Sequence, residues 1–330
     1  MIDSVDTFVK KNSHSRSRKA RLVILSSLAL GLLIWQACSG GGDVTATPSD
    51  AGDSGAPTLF QGVGTDLEGL LATIDLGVGT NRVAFLLQTS DGLITLPRVK
   101  VTSSYFPEDG SSPIVKETTS ANFHLWPFGT RGNYVTEMSF DLPGQWQLEA
   151  KLTEGDTVLA SATMPVLVRE TSYTPAVGST PPLTVNKTLG EAQDLSDITG
   201  WIRADPDLYQ LTIPEALGNG TPLVVVMSSP GFCTSPTCGP QVDTVAELKQ
   251  IYKGQANFIH VEVYDNPQEI QESLDQGRYS QVVKDWGLTG IEGYLNESWV
   301  FIIDGSGRIV SKYEGYSSIE ELERGLQETF

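Results

Sequence analysis

The chain has 330 residues, with 40 Asp and Glu against 22 Lys and Arg, and a net charge of −18. This excess of negative charge argues against binding to nucleic acid or to an anionic membrane surface. The composition includes three cysteines, at positions 38, 233 and 238.

A basic segment followed by an uncharged run opens the chain. Lysine and arginine outnumber acidic residues in residues 1–21, and Leu22 to Trp35 carries no charge. This order is typical of an export signal. The end of the run, Ala37-Cys38-Ser39, resembles a bacterial lipobox, in which a small residue precedes a cysteine that becomes lipidated. The resemblance implies a signal segment over residues 1–37 and a lipid on Cys38 that anchors the protein to the extracytoplasmic face of the cell membrane.

Residues 38–58 consist mainly of Gly, Ser, Thr, Ala, Pro and Asp. Such a segment has too little apolar surface to fold, so it is predicted to be a flexible tether. About 270 residues follow it, which suits two domains.

Residues 59–170 are predicted to form an all-β immunoglobulin-like sandwich. Apolar and polar residues alternate in Asn133–Phe140 and in Gln145–Leu152, on either side of a turn at Pro143-Gly144. Strict alternation indicates an antiparallel sheet with one face in solvent. Four further strands are predicted at Arg82–Gln88, Leu96–Ser103, Thr157–Thr163 and Val166–Arg169. No catalytic pattern stands out here, and His124 is interpreted as a packing or surface residue, so the domain is predicted to be a spacer or a partner-binding module.

Residues 171–190, rich in Pro, Ser and Thr, are predicted to link this domain to a second one at 191–330. A capping box is expected at Thr212-Ile-Pro-Glu215, before a fully buried strand at Leu223–Met227. The remaining elements are predicted in the order helix, strand, helix, hairpin and helix: Gln241–Tyr252, Ala256–Tyr264, Gln268–Trp286, Trp299–Tyr313, and a last helix from Ser317 or Ser318.

Cys233 and Cys238 lie in the loop between the buried strand and the first of these helices. Unpaired N–H groups and the positive end of the dipole at a helix N-terminus favour thiolate over thiol. Outside the cytoplasm such a pair is expected to form a disulfide, which is either redox-active or a structural staple of the loop.

The element order, the cysteine pair and the hairpin together resemble the thioredoxin fold over residues 175–330, in the manner of membrane-tethered thiol-disulfide oxidoreductases of the TlpA and ResA kind. The resemblance implies catalytic Cys233 and Cys238, no cofactor, and partners that are protein thiols and disulfides outside the membrane. Thioredoxins separate their cysteines by two residues and this chain by four, so either cysteine could be the one that attacks. The resemblance further implies that Glu262 serves as a catalytic carboxyl in place of the buried acid of thioredoxins, and that substrate contacts lie at Pro240, Ser298 and Trp299.

Two alternatives remain open from the sequence, so enzymatic activity itself is undecided. One is a copper-binding protein similar to the Sco-type chaperones, with Cys233, Cys238 and His260 as ligands. The other is a redox-inactive thioredoxin-like binding module.

Overall fold

The computed structural model describes residues 66–270, 273–294 and 296–330. The chain divides between Pro57 and Thr58, and the described residues all belong to the second unit, Thr58–Phe330. The export segment, Cys38 and the tether lie outside the described residues, so they stay predictions. Within the described ranges the chain is mostly β, and no helix there is long and apolar enough to cross a membrane.

The first sheet is curled and mainly antiparallel, with its strands in the order β1-β3-β7-β6-β5-β8-β9-β2 and β4 paired to β3. Its curl brings the first strand against the ninth, since a Cβ on Gly69 would meet the side chain of Met164 at 2.7 Å. The described strands are β1 (Glu68–Leu71), β2 (Leu76–Gly77), β3 (Gly79–Thr89), β4 (Gly92–Leu93), β5 (Arg98–Phe106), β6 (Ile114–Leu125), β7 (Gly132–Phe140), β8 (Gly144–Glu154) and β9 (Thr157–Arg169).

The core of this sheet follows from the alternation in the sequence. In β8, Trp146, Leu148, Ala150 and Leu152 are all buried, whereas the residues between them are partly exposed. The rings of Phe140 and Trp146 meet edge to face with centroids 4.9 Å apart. Strict period two therefore identified the buried face correctly.

Three features of this sheet differ from the prediction. The short strands β1, β2 and β4 were not predicted. The strand β6 was not predicted, because its residues are mostly polar and exposed and only Ala121 is buried. The segments on either side of Pro165 were predicted as separate strands, yet they form one strand, β9. Proline is tolerated there because β2 pairs with β9 only at Val168 and Arg169, which leaves the edge beside Pro165 unpaired.

The second sheet has four strands in the order β11-β10-β12-β13 and carries helices on both faces. Its strands and the helices of the same part of the chain are α1 (Ile213–Gly218), β10 (Leu223–Ser228), α2 (Cys238–Ile251), β11 (Asn257–Glu262), α3 (Gln281–Asp285), β12 (Trp299–Ile303), β13 (Ile309–Glu314) and α4 (Ile319–Gln327). Short 3-10 turns lie at Leu195–Asp197, Pro206–Tyr209, Leu274–Gln276 and Leu288–Gly290.

The strand β10 is central, with β11 parallel on one side and β12 antiparallel on the other, and all six of its residues are buried. Val224 and Val226 pack in one apolar cluster with α2 and α4, and Val225 and Met227 in another with α1 and α3. The uninterrupted apolar run reflects this burial on two faces.

The predicted helix over Gln268–Trp286 is wrong in extent. The described residues there form a 3-10 turn at Leu274–Gln276 and the five-residue α3. Gly277 ends the turn, and Ser280 begins a new helix by accepting a hydrogen bond from the backbone N–H of Val283. Two local end signals therefore divide a stretch whose composition is suited to a helix.

Buried polar contacts join the two sheets. Arg82 of β3 forms a 2.9 Å ion pair with Glu321 of α4 and donates to the backbone carbonyls of Glu314 and Tyr316 at 3.1 Å. The carboxylate of Glu314 accepts from the backbone N–H of Ile74 at 2.9 Å. Because these groups are shielded from water, each needs its partner, and the contact between the sheets is specific.

Candidate functional site

A disulfide joins Cys233, in the loop between β10 and α2, to Cys238 at the start of α2. The loop leaves β10 after Ser228, and Cys238 is the first residue of α2. The two Cα atoms are 6.3 Å apart. Cys238 is fully buried, whereas Cys233 is partly exposed, so the two sulfurs differ in their access to solvent.

Hydrogen bonds among the surrounding elements fix the position of this loop. The hydroxyl of Ser228 donates to the backbone carbonyl of Cys238 at 3.2 Å and lies 2.9 Å from the hydroxyl of Ser298. Ser298 directly precedes β12, and its carbonyl accepts from the N–H of Gly315 at 2.9 Å. The end of β10, the start of α2 and the start of β12 are therefore tied together at the disulfide.

The residue Asn296 places a backbone carbonyl against both sulfurs, 3.5 Å from Sγ of Cys238 and 3.6 Å from Sγ of Cys233. Its φ is +61°, in the left-handed region that asparagine tolerates better than most residues. Its amide donates to the hydroxyl of Tyr264, which holds the side chain in place. This turn directs the next residue, Glu297, toward the disulfide.

Glu297 is the carboxyl group that the structure places beside the cysteines. One of its oxygens and the two sulfurs all lie within 4.8 Å of one another. Burial raises the pKa of this carboxyl, and interactions with the hydroxyls of Ser235 and Thr237 oppose the increase. Glu297 was not predicted as a site residue, although it lies one residue before Ser298, which was.

The predicted catalytic carboxyl, Glu262, lies at the end of β11 and is 4% exposed. It accepts hydrogen bonds from the hydroxyl of Thr199 at 2.9 Å and from the N–H of Gly200 at 3.1 Å. Burial raises its pKa to about 7. Its other carboxylate oxygen accepts from the N–H of Val263 at 3.1 Å. Among the described residues, Glu262 is not part of the group of sulfur and carboxylate atoms that lie within 4.8 Å of one another.

His260 is buried, and both of its ring nitrogens have partners away from the sulfurs. Nδ1 lies 2.6 Å from the hydroxyl of Tyr209, and Nε2 lies 3.1 Å from the carbonyl of Ser228. Burial lowers the pKa of the ring to about 4, so it is neutral at physiological pH. The copper ligand set that the sequence suggested, with His260 beside the two cysteines, does not assemble in this structure, because the ring is held in the core by other groups.

The predicted substrate contacts also need correction. The side chains of Ser298 and Trp299 are 0% and 1% exposed, so they do not face a partner. Ser298 directly precedes β12 and Trp299 is its first residue, and all residues of this strand are buried. Pro240, in the first turn of α2, is partly exposed.

An apolar surface that the sequence analysis missed lies beside the disulfide loop. A Cβ on Gly200 would meet the ring of Phe232 at 2.6 Å, and one on Gly239 would meet the indole of Trp201 at 2.6 Å. The loop at residues 199–202 therefore packs directly on the cysteine loop and the start of α2. Ile202, at the tip, is 91% exposed and borders a cleft of about 520 Å³ that Trp201 and Phe232 also line.

No protein-family model and no curated protein matches the chain. A solved structure of a thioredoxin-family thiol:disulfide interchange protein from Chlorobium tepidum TLS shares 13% identity, covers 47% of this chain and 98% of its own, and has a TM-score of 0.31.

Two further solved structures are similar to part of the chain. The CARDB domain of a Pyrococcus furiosus protein shares 19% identity over 31% of this chain and 87% of its own, with a TM-score of 0.19. The chitinase ChiW of a Paenibacillus strain shares 11% identity over 34% of this chain and 9% of its own, also with a TM-score of 0.19. Scores this low leave the function to be argued from the site.

Proposed function

We propose that this protein is a membrane-anchored, extracytoplasmic thiol–disulfide oxidoreductase whose reactive group is the Cys233–Cys238 disulfide. The observation that carries the proposal is the unequal access of the two sulfurs at the start of a helix. Cys233 is partly exposed, and Cys238 is buried as the first residue of α2. A working exchange site needs one sulfur that a partner can reach and one that resolves the mixed disulfide.

In the proposed reaction, a partner dithiol reduces the Cys233–Cys238 disulfide. A partner thiolate attacks Sγ of Cys233, a new sulfur–sulfur bond forms, and the bond to Cys238 breaks. The electron pair leaves on Cys238, where the N-terminal end of α2 stabilises the thiolate. The partner's second thiolate then displaces Cys233, so two electrons pass to this protein and the partner leaves as a disulfide. The protons of the partner's two thiols end on the two cysteines.

The topology of the second sheet supports a thioredoxin-like fold for residues 191–330. The helix α2 connects the parallel strands β10 and β11, and the antiparallel hairpin β12–β13 extends the sheet beside β10. This is the arrangement that the sequence resemblance implies, with the cysteines at the first strand-to-helix junction. The curled first sheet is interpreted as an immunoglobulin-like sandwich over 59–170, joined through a linker at 171–190.

The location of the protein at the outer face of the membrane is part of the same proposal. A lipid on Cys38 and a tether over residues 38–58 place the disulfide outside the membrane, where protein thiols and disulfides are its partners. The apolar loop of Trp201 and Ile202 beside the partly exposed Cys233 suits an apolar segment of such a partner.

The reduction potential of the disulfide tests the proposal. The full chain is equilibrated in thiol redox buffers and alkylated, and peptide mass spectrometry scores the two cysteines separately from Cys38. The expected midpoint lies above about −300 mV, since structural disulfides lie below that value. A disulfide that resists all buffers above this potential contradicts the proposal and leaves a structural staple.

Two serine variants test the order of attack. With Cys238→Ser, the accessible Cys233 remains and is expected to form a mixed disulfide with glutathione disulfide readily. With Cys233→Ser, the remaining thiol is buried and is expected to react at least tenfold more slowly, because reactivity follows thiolate character and access. Equal rates would reject the assignment of Cys233 as the attacked sulfur.

A further inference from the structure

We propose that the reduced protein binds one Zn²⁺ ion through the thiolates of Cys233 and Cys238 and the carboxylate of Glu297. The proposal rests on the proposed function only in requiring a disulfide that can be opened. It assigns a second chemical state to the same atoms, in which a metal ion takes the place of the sulfur–sulfur bond.

The distances suit a single ion. The three ligand atoms lie within 4.8 Å of one another. Zinc binds thiolate sulfur at about 2.3 Å and carboxylate oxygen at about 2.0–2.2 Å in tetrahedral geometry, which puts its ligand atoms about 3.5 to 3.8 Å apart. Opening the disulfide frees the sulfurs to separate to that distance. Four residues lie between the two cysteines, within the range of two to four that is typical of zinc-binding cysteine pairs.

The surroundings hold the carboxylate toward the sulfurs. The hydroxyl of Thr237 donates to Glu297 at 3.5 Å and lies 2.7 Å from the hydroxyl of Ser235. Such outer contacts orient metal ligands and increase their affinity for the ion. The backbone carbonyl of Asn296, within 3.6 Å of both sulfurs, places a further oxygen donor beside the three ligands.

The donor set selects zinc among common metal ions. Two thiolates exclude Mg²⁺ and Ca²⁺, which prefer oxygen ligands throughout. Cu(I) is satisfied by soft sulfur alone and gains little from a carboxylate, whereas Zn²⁺ uses sulfur and carboxylate oxygen together. His260, which would have completed a copper site, is engaged with Tyr209 and Ser228.

The two states exclude each other. A dithiol reductant converts the disulfide to two thiols and leaves as its own disulfide. Zn²⁺ then displaces the two thiol protons, and that of the carboxyl when it is protonated, with no change in oxidation state. Bound zinc therefore blocks thiol exchange, and the disulfide blocks zinc binding.

The experiment is a titration of the full chain with Co²⁺ and Zn²⁺ under anaerobic conditions, after reduction with a phosphine that is then removed. Cobalt reports on tetrahedral thiolate ligation through its visible absorption, and zinc is measured by displacement of cobalt and by competition with a coloured chelator. We expect one ion per reduced chain and none in the oxidised chain. Glu297→Gln is expected to weaken binding at least tenfold, and Glu292→Gln, at an exposed position five residues away, is the matched control and should bind as the native chain does.

Three results would overturn the proposal: no zinc bound when both thiols titrate as free, equal affinity of the Glu297→Gln variant and the native chain, or equal binding by the oxidised chain. The phosphine opens the disulfide whatever its reduction potential, so a chain that fails thiol exchange can still be tested for zinc, and the two proposals fail separately.

Discussion

Glu262 introduces a dependence of stability on pH whose size follows from its burial. Burial raises its pKa to about 7 from 4.5 for an exposed carboxyl. Between these values the folded chain holds a proton that the unfolded chain has released. The associated stability is fully present below pH 4.5 and is lost as the pH rises through 7. Integrated from pH 5 to pH 8, the loss is about 2 to 3 kcal/mol.

The variant Glu262→Gln isolates this contribution, because glutamine keeps a hydrogen-bonding side chain but does not titrate. Urea unfolding of the native chain and the variant at pH 5, 6, 7 and 8 gives the free energy of unfolding of each. The free energy of unfolding of the variant, relative to that of the native chain, is expected to increase by about 2 to 3 kcal/mol between pH 5 and pH 8. Burial also raises the pKa of Glu314 to about 7, but that group is present in both proteins and cancels in the difference.

The slope, rather than the absolute stability, is the measured quantity, so an altered hydrogen bond at position 262 does not obscure the result. Glu247→Gln, at an exposed position on α2, is the matched control and should follow the native pH profile. Parallel profiles for the native chain and Glu262→Gln would refute the reasoning, because a carboxyl that is ionised in both folded and unfolded states contributes no slope.

Three further predictions concern packing and the disulfide. Arg82→Ala is expected to destabilise the fold by about 3 to 5 kcal/mol in urea unfolding, because it leaves Glu321 buried without its partner, and adding Glu321→Gln should restore part of the loss. Gly239→Ala is expected to lose about 1 to 3 kcal/mol, since its methyl group would collide with Trp201, whereas Gly218→Ala, where a Cβ meets nothing within 4 Å, should not be destabilised. Reducing the disulfide should lower the free energy of unfolding by about 2 kcal/mol, as expected for so small a loop, and an unchanged urea midpoint would contradict this.

The sequence predicted those elements whose apolar pattern is set by burial. The buried run of β10, the alternation in β7 and β8, and the hairpin β12–β13 were all located correctly. The strand β6 was not predicted because most of its residues are polar, and it is held by pairing with its neighbours rather than by burial of its own apolar residues. In the segment that contains α3, the turn end at Gly277 and the helix start at Ser280 interrupt the single long helix that the composition predicted.

The cysteine pair could be predicted from the sequence, but its carboxylate partner could not. The cysteines are five positions apart, so their proximity follows from local chain geometry. Glu297 reaches them only because β12 runs antiparallel beside β10, which brings the start of one strand to the end of the other. Nothing in the local sequence around Glu297 specifies that pairing, and the resemblance directed attention to the neighbouring Ser298.

The sheet order also explains why two carboxyls, the buried Glu262 and the partly exposed Glu297, lie near the same site with different contacts. The end of β10 meets the end of its parallel neighbour β11 and the start of its antiparallel neighbour β12, so Glu262 and Glu297 arrive from opposite sides. Glu297 faces the sulfurs, whereas Glu262 binds Thr199 and Gly200 of the loop that packs on the cysteine loop. Ionisation of Glu262 near pH 7 therefore changes its hydrogen bonds to the loop at residues 199–200, whereas the carboxyl of Glu297 lies directly beside the two sulfurs.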